Sequence, residues 1–260
     1  MIRVTIWNEF WHERNEDEVK QIYPDGIHEH LKKVLQENDF EIKTAYLDKD
    51  DEHGLSEEVL ENTDVLMWWG HCQHHEVKDE IVQRVYDRVL FGGMGLIAMH
   101  SAHDSKIFKK LMGSPCSLHW RAWNEKARVW TVAPNHPIAK GIPLQFDLDA
   151  EEMYGEYFQI PQPDDIVFIS WFEGGNVFRG GVTFTRGAGK IFYFHPGHEF
   201  CPSFHNKNVI QIHKNAIRWA APVEHKQFDG NHFKSPLESG VENKDNSVNL
   251  EVLKKYQEEK

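Results

Sequence analysis

"GLIAMHSAHDS", residues 95–105, decides how this chain is read. A glycine-bounded apolar run, Leu96 to Met99, stops at a small-residue turn, and a helical pattern follows in "SKIFKKLMG" (105–113). That is the strand–turn–helix context of a nucleophile elbow, whose sharp turn needs small residues two positions either side of its tip. Around Ser101 those positions are Met99 and His103, both large. Around His100 they are Ala98 and Ala102. The spacing therefore puts an imidazole, not a thiol or hydroxyl, at the tip of the turn.

The segments on either side repeat one pattern. "IRVTIW" (2–7), "FEIKTAYL" (40–47) and "DVLMWW" (64–69) read as strands. They alternate with helical spacing in "GIHEHLKKVLQEN" (26–38), a short Ser56-capped helix in "SEEVLENTD", and an amphipathic helix in "EVKDEIVQRVYDRVLFGG" (76–93). Strand–helix alternation with near-continuously apolar strands predicts an α/β fold, a parallel sheet with helices on both faces. The second half is less regular. "KARVWTVA" (126–133), "DIVFISWF" (165–172), "GGVTFTR" (180–186) and "GKIFYFH" (189–195) read as strands, and 204–221 as a closing helix. "NHPIAKGIP" (135–143) is a turn-rich connection, and "DLDAEEMYGEYFQI" (147–160) fits helix or strand. From Pro222 onward the chain turns polar. The expected division is a folded domain over 1–222 and a polar tail over 223–260, with a short helix near 248–258.

Composition narrows the function. The 260 residues are 40% hydrophobic, with 16 Phe and 9 Trp, enough for a substantial core. No apolar run reaches the roughly 18–20 residues of a membrane span, and no signal-peptide pattern precedes the first strand, so a cytoplasmic protein is expected. A net charge of -12 argues against nucleic-acid binding. Cys72, Cys116 and Cys201 are odd in number and widely spaced, which suits reduced thiols rather than disulfides or a zinc–cysteine site. "RGAGKIFYF" and "FGGMG" lack a phosphate-loop pattern, so no nucleotide cofactor is expected.

The 17 histidines carry the strongest signal because many cluster at strand ends: His71, His74 and His75; His100 and His103; His195 and His198. In an open parallel sheet, ligands bind beyond the carboxyl ends of the strands. The loops there are "NEFWHERNEDE", "GHCQHHE", "HSAHDS" and "HPGHEF". Three chemistries can use them. His71, His100, His103 and His198, with Glu199, are candidate ligands for zinc or another divalent metal, although no HExxH pattern is present. His100 or His198 can instead act as a metal-free acid or base, oriented by Glu9, Glu152 or Glu199. The third option is Ser101 or a cysteine as nucleophile. Glu9, His12, His28, Glu152, Arg179 and Trp7 are candidate substrate contacts, and Trp7, Trp11 and Trp120 offer aromatic faces for a sugar ring.

Other residues read as structural. His136 and His213 are assigned to the scaffold, and His74 and His75 are expected to face solvent. The tail histidines, 225 and 232, are given no role. "NEDE" (15–18) and "DKDDE" (48–52) read as solvated loops, and Trp68 and Trp69 as sheet core.

Together, "VTIWNEFWHE", "YPDGIHEHL", "DVLMWWGHCQHHEV", "GLIAMHSAHDSKIFKKLMG", "EEMYGEYFQIP", "FISWFEGGNVFRGG" and "GKIFYFHPGHE" resemble the trehalose utilisation (ThuA-like) family over residues 2–221. The resemblance implies a flavodoxin-like, doubly wound, mostly parallel sheet of the class I glutamine amidotransferase type. In that group a Cys occupies the elbow, where this chain has His100, so glutamine hydrolysis is expected to be absent. "FHPGHE" resembles the group's late "FHPE" with two residues inserted, leaving His195 and His198 as alternatives for the late histidine. The implied biology is carbohydrate catabolism: trehalose or related disaccharides, as keto derivatives made by a partner sugar dehydrogenase. The expected function is isomerisation, elimination or hydrolysis of such a sugar; the competing reading is a non-catalytic sugar-binding or regulatory subunit. The tail and exposed tryptophans suggest a homo-oligomer.

Overall fold

The computed structural model describes residues 1–224, 238 and 250–258. Five strands run parallel: β1 (Ile2–Asn8), β2 (Phe40–Tyr46), β3 (Val65–Trp69), β4 (Gly95–Met99) and β9 (Gly189–Phe194). Four more extend the sheet antiparallel: β5 (His119–Thr131), β6 (Gln145–Gly155), β7 (Asp165–Phe172) and β8 (Val177–Arg186). The order across the sheet is β2-β1-β3-β4-β9-β8-β7-β5-β6. Its parallel half follows the 2-1-3-4-5 order of flavodoxin-like folds. The α/β expectation holds, on a sheet that is mixed: parallel from β2 to β9, antiparallel from β9 to β6.

Helices α3 (Ile27–Leu35) and α7 (Lys207–Ala220) pack together on one face, and α4 (Glu57–Glu61), α5 (Asp79–Leu90) and α6 (Lys106–Met112) on the other. Ser56 and Ser105 cap α4 and α6 by accepting the Val59 and Phe108 backbone N–H groups. Register aligns the strand ends. Trp7, Trp68, Ala98 and Tyr193 form one row across β1, β3, β4 and β9. The loops that leave these strands two or three residues later therefore start side by side. Trp68 and Trp69 are buried, as expected of sheet core.

Two segments differ from the sequence reading. "NEFWHERNEDE" is not an irregular loop but holds α1 (His12–Asn15) and α2 (Asp17–Ile22). Asp17 and Glu18 of "NEDE" sit in the first turn of α2, where the helix dipole favours negative charge, and Glu16 stands at its N-cap. The ambiguous segment 147–160 contributes the end of β6, because cross-strand pairing with β5 overrides the helix-forming Ala, Glu and Met residues. The chain divides into two compact units, Met1–Phe228 and Asp229–Lys260. Within the second, the described helix is α8 (Leu250–Glu258); residues 225 and 232 lie outside the described residues. Among the described residues, no helix is long and apolar enough to cross a membrane.

Candidate functional site

His100 occupies the tip of the turn after β4, with φ of 51°, the left-handed conformation that marks a strained elbow. Ala98 and Ala102 are buried on either side. A 3-10 turn over His100–Asp104 then leads into α6. The His100 imidazole is fully buried, and its Nδ1 lies 2.9 Å from the His195 carbonyl oxygen. A carbonyl only accepts, so Nδ1 carries the proton and Nε2 presents its lone pair. That Nε2 is 3.2 Å from Glu152 Oε2 and 3.3 Å from the Tyr154 hydroxyl. Burial lowers the His100 pKa to about 3, keeping the ring neutral, and raises that of Glu152. Of the two, the carboxyl group therefore holds a proton more readily than the ring.

Beside it stands a second concentration of charge. Glu199 is buried, and among the described residues its close polar neighbours are imidazoles. His71 Nδ1 lies 3.0 Å from Glu199 Oε1, His12 Nε2 3.6 Å and His198 Nε2 3.7 Å. Burial works against ionisation of Glu199, yet these imidazoles hold its pKa below the ordinary range. Burial lowers His198 to about 4; at His71 burial is outweighed by Glu199, which raises that ring.

Ligating atoms of His71, Glu152 and His198 lie within 4.8 Å of one another, as do those of His100, His198 and Glu199. Mixed imidazole and carboxylate donors at this spacing suit a divalent ion. Glu199 supplies a further sign: it is a buried carboxylate faced by three imidazoles, of which His71 pairs with it and His12 and His198 stand 3.6 and 3.7 Å away. The residues present fit a metal.

The loops are braced from behind. Glu9 accepts the backbone N–H groups of His71, Cys72 and Gln73 at 2.6, 2.9 and 3.0 Å, which fixes the turn carrying His71. His12 Nδ1 contacts Glu16 at 2.7 Å, and its Nε2 meets His71 Nδ1 at 2.8 Å. Glu151, fully buried on β6, accepts the N–H groups of Gly197 (2.9 Å) and His198 (3.1 Å) and the Ser203 hydroxyl (2.5 Å). Burial nevertheless raises its pKa to about 7. Trp69 Nε1 donates to the Gly197 carbonyl. Gly197 has φ of 144°, and a Cβ there would lie 2.5 Å from the Phe204 ring, so the turn that presents His198 and Glu199 requires glycine.

A cavity of about 410 Å³ opens onto this centre, lined by His71, His74, Ser101, His103, Glu152 and Tyr154, with Asp104, Ser117, Leu118 and Trp120 on its outer wall. Ser101 bonds to the Tyr154 hydroxyl at 2.8 Å rather than to a histidine. It has no general base of its own, which removes the basis for reading it as a nucleophile.

Several expected residues stand elsewhere. His103 lines the cavity, its Nδ1 donating to the Cys116 carbonyl and its ring packing against Tyr154 and Phe158; unlike His100, it is in none of the groups of three donors that lie within 4.8 Å of one another among the described residues. Trp7 is buried and stacks on Trp68 with centroids 4.0 Å apart. His28 is buried against Phe10, its Nδ1 facing the Asn8 amide. Arg179 grips Glu156 and the Phe158 carbonyl. None of these three lines the cavity, and Glu9 is occupied by backbone. Their positions correct the substrate-contact reading.

His74 departs from its solvent-facing expectation: it lines the cavity, with a buried Nε2 that has no hydrogen-bond partner among the described residues. His75 stays exposed. His136 caps the turn over Pro137–Ala139, and buried His213 bonds the Val209 carbonyl within α7. Sequence reasoning missed Glu151 and Tyr154. The signal was their spacing with Glu152 on one strand, hidden while 147–160 could equally be a helix.

The ThuA family model, described as trehalose utilisation, matches residues 3–220. No curated protein matches the chain. Among solved structures, it resembles a ThuA-like protein of Parabacteroides merdae ATCC 43184, 14% identical with a TM-score of 0.59 over 87% of this chain and 92% of that one. A ThuA-like protein of Bacteroides uniformis ATCC 8492 is 16% identical, with a TM-score of 0.56 over 84% and 90%. A cytoplasmic protein of Salmonella typhimurium LT2 is 12% identical, with a TM-score of 0.59 over 85% and 100%. At such identities these neighbours speak to fold alone. The family match spans the strands, the His100 elbow and the His198–Glu199 turn together, and on it this chain belongs to the ThuA, trehalose utilisation, family.

Proposed function

We propose that the protein is a metal-assisted acid–base enzyme acting on a disaccharide of the trehalose class or its keto derivative. The observation that carries the reading is buried Glu199, faced by three imidazoles with a second buried carboxylate, Glu152, beside them. His71, His100, His198 and Glu199 would hold the ion, zinc or another divalent metal, with Glu152 beside them. A bound divalent ion supplies Lewis acidity toward a sugar carbonyl or hydroxyl oxygen.

The chain's own groups do the remaining work. Glu152, whose hold on a proton burial strengthens, can exchange a proton at Oε2 with a sugar oxygen. Tyr154 and Ser101 form a hydroxyl pair that orients the substrate and links the cavity to His100. His74 Nε2 remains available to a sugar hydroxyl. The late-strand histidine of the reading is His198, because His195 Nε2 is committed to the Glu152 carbonyl.

A keto sugar requires an oxidation upstream, so a sugar dehydrogenase is the expected metabolic partner. In the same reading the protein is cytoplasmic and self-associates, the exposed Trp130, Val132 and Leu144 offering apolar surface. The test pairs elemental analysis with NMR of trehalose and 3-keto-trehalose incubated with the protein. Stoichiometric metal and conversion of either sugar support the reading. Tight binding with neither sugar changed would favour a sugar-binding subunit instead.

A further inference from the structure

The cavity has two unlike walls, and the outer one has no part in the chemistry described so far. Trp120 pairs with Tyr154 across the β5–β6 ladder. Directly opposed residues of antiparallel strands carry their side chains on the same face, with Cβ atoms about 4.5–5.5 Å apart. Tyr154 in turn stacks on His100, ring centroids 4.9 Å apart. The Trp120 indole is thus one side chain removed from the reactive centre.

Its exposure is unusual for this site. Trp120 is 64% exposed, whereas Tyr154, Phe158 and Tyr193 are all buried. A single exposed aromatic on a surface needs no explanation, but this one lines the same cavity as Glu152 and His71. Trp11, also partly exposed, packs its edge on His12 and does not line the cavity. Beside Trp120 stand the Ser117 hydroxyl and the Asp104 carboxylate; Asp104 also pairs with Lys109 at 2.6 Å. A flat apolar face rimmed by a hydroxyl and a carboxylate matches a pyranose ring, which offers a C–H face and a rim of hydroxyls.

We propose that Trp120, with Asp104 and Ser117, forms a second sugar subsite. The reacting ring sits against His71, Glu152 and Tyr154, and the neighbouring ring of a two-ring glycoside lies on the Trp120 indole. The inference rests on the sugar reading above and adds a preference for two rings over one. A cavity of about 410 Å³ falls within the range of about 300–1,000 Å³ usual for small-molecule sites.

The test is equilibrium binding by titration calorimetry of trehalose and methyl α-glucoside to the full-length protein and its W120A and W120F variants. Wild type is expected to bind trehalose about tenfold more tightly than methyl α-glucoside. W120A abolishes that advantage while leaving methyl α-glucoside affinity unchanged, and W120F keeps most of it. Because Trp120 is exposed, both variants should melt with the wild-type protein. An unchanged affinity ratio in W120A overturns the subsite while leaving the sugar reading intact. Failure of wild type to bind either of these sugars or 3-keto-trehalose overturns both.

Discussion

Nε2 of His100 and Oε2 of Glu152 stand 3.2 Å apart, both groups buried, one on the strained elbow after β4 and the other on β6. The pair joins the two halves of the sheet: the parallel half supplies the imidazole and the antiparallel half supplies the acid. The neutral ring turns its Nε2 lone pair toward the same point as the Glu152 carboxyl group. Burial acts on the two in opposite senses, weakening the ring's hold on a proton and strengthening the carboxyl group's.

Replacing His100 separates chemistry from conformation. His100→Ala is expected to lower turnover by at least about 100-fold, the scale of a lost acid–base group. Because φ is 51° there, His100→Gly should be more stable than His100→Ala by about 1 kcal/mol, the reverse of the usual order. Urea denaturation of the two variants measures this, and an Ala variant equal to or more stable than Gly would mean the elbow is not strained.

Glu151 is expected to position His198 and Glu199 rather than to touch substrate. Glu151→Ala removes the side-chain acceptor of three buried N–H groups, those of Glu152, Gly197 and His198, and of the Ser203 hydroxyl, at about 1–3 kcal/mol for each group left unsatisfied. Glu151→Gln, which keeps one acceptor oxygen, should lose less. Both should bind metal more weakly than wild type, as read by calorimetric titration with zinc. Unchanged zinc affinity in both variants would show that the Gly197–Ser203 turn holds its shape alone.

Tyr154→Phe removes the hydroxyl that connects Ser101 to His100 while keeping the ring stacked on His100. The melting temperature should fall only slightly, whereas kcat should fall about tenfold or more. Equal kcat in the variant would exclude the hydroxyl pair from the reaction.

Acid should destabilise the fold through its buried histidines. His213 is fully buried with a pKa lowered to about 4 by burial. The unfolded chain takes up this proton near pH 6.5 and the folded chain only near pH 4, so stability is full above 6.5 and is lost as pH falls through that window. One such group accounts for about 3 kcal/mol at most. Urea denaturation from pH 7 to pH 4 should show a shallower loss for His213→Leu than for wild type; parallel curves would contradict the assignment.

Much of the parallel half was legible because its strands are apolar throughout and its helices amphipathic. The elbow was legible for a sharper reason: only His100 has small residues two positions to each side. Once the strand ends were placed, His71, His198 and Glu199 converged with it. The antiparallel half was not legible in the same way. Its strands alternate weakly, and "AEEMY" carries helix-forming residues in a segment that becomes a strand only through its pairing with β5. Glu151 and Tyr154 were hidden there. Trp7, His28 and Arg179 looked like substrate contacts because nothing local in sequence shows that Trp68, Asn8 and Glu156 already occupy them.

The most direct test of the central claim is NMR of 3-keto-trehalose incubated with zinc-loaded wild-type protein, chelator-treated protein, and His100→Ala. The expected result is consumption of the sugar by the loaded wild type, loss of that activity on chelation with recovery when zinc is returned, and at least about 100-fold slower conversion by His100→Ala. An unchanged sugar in every sample, or equal rates in all three, would contradict it.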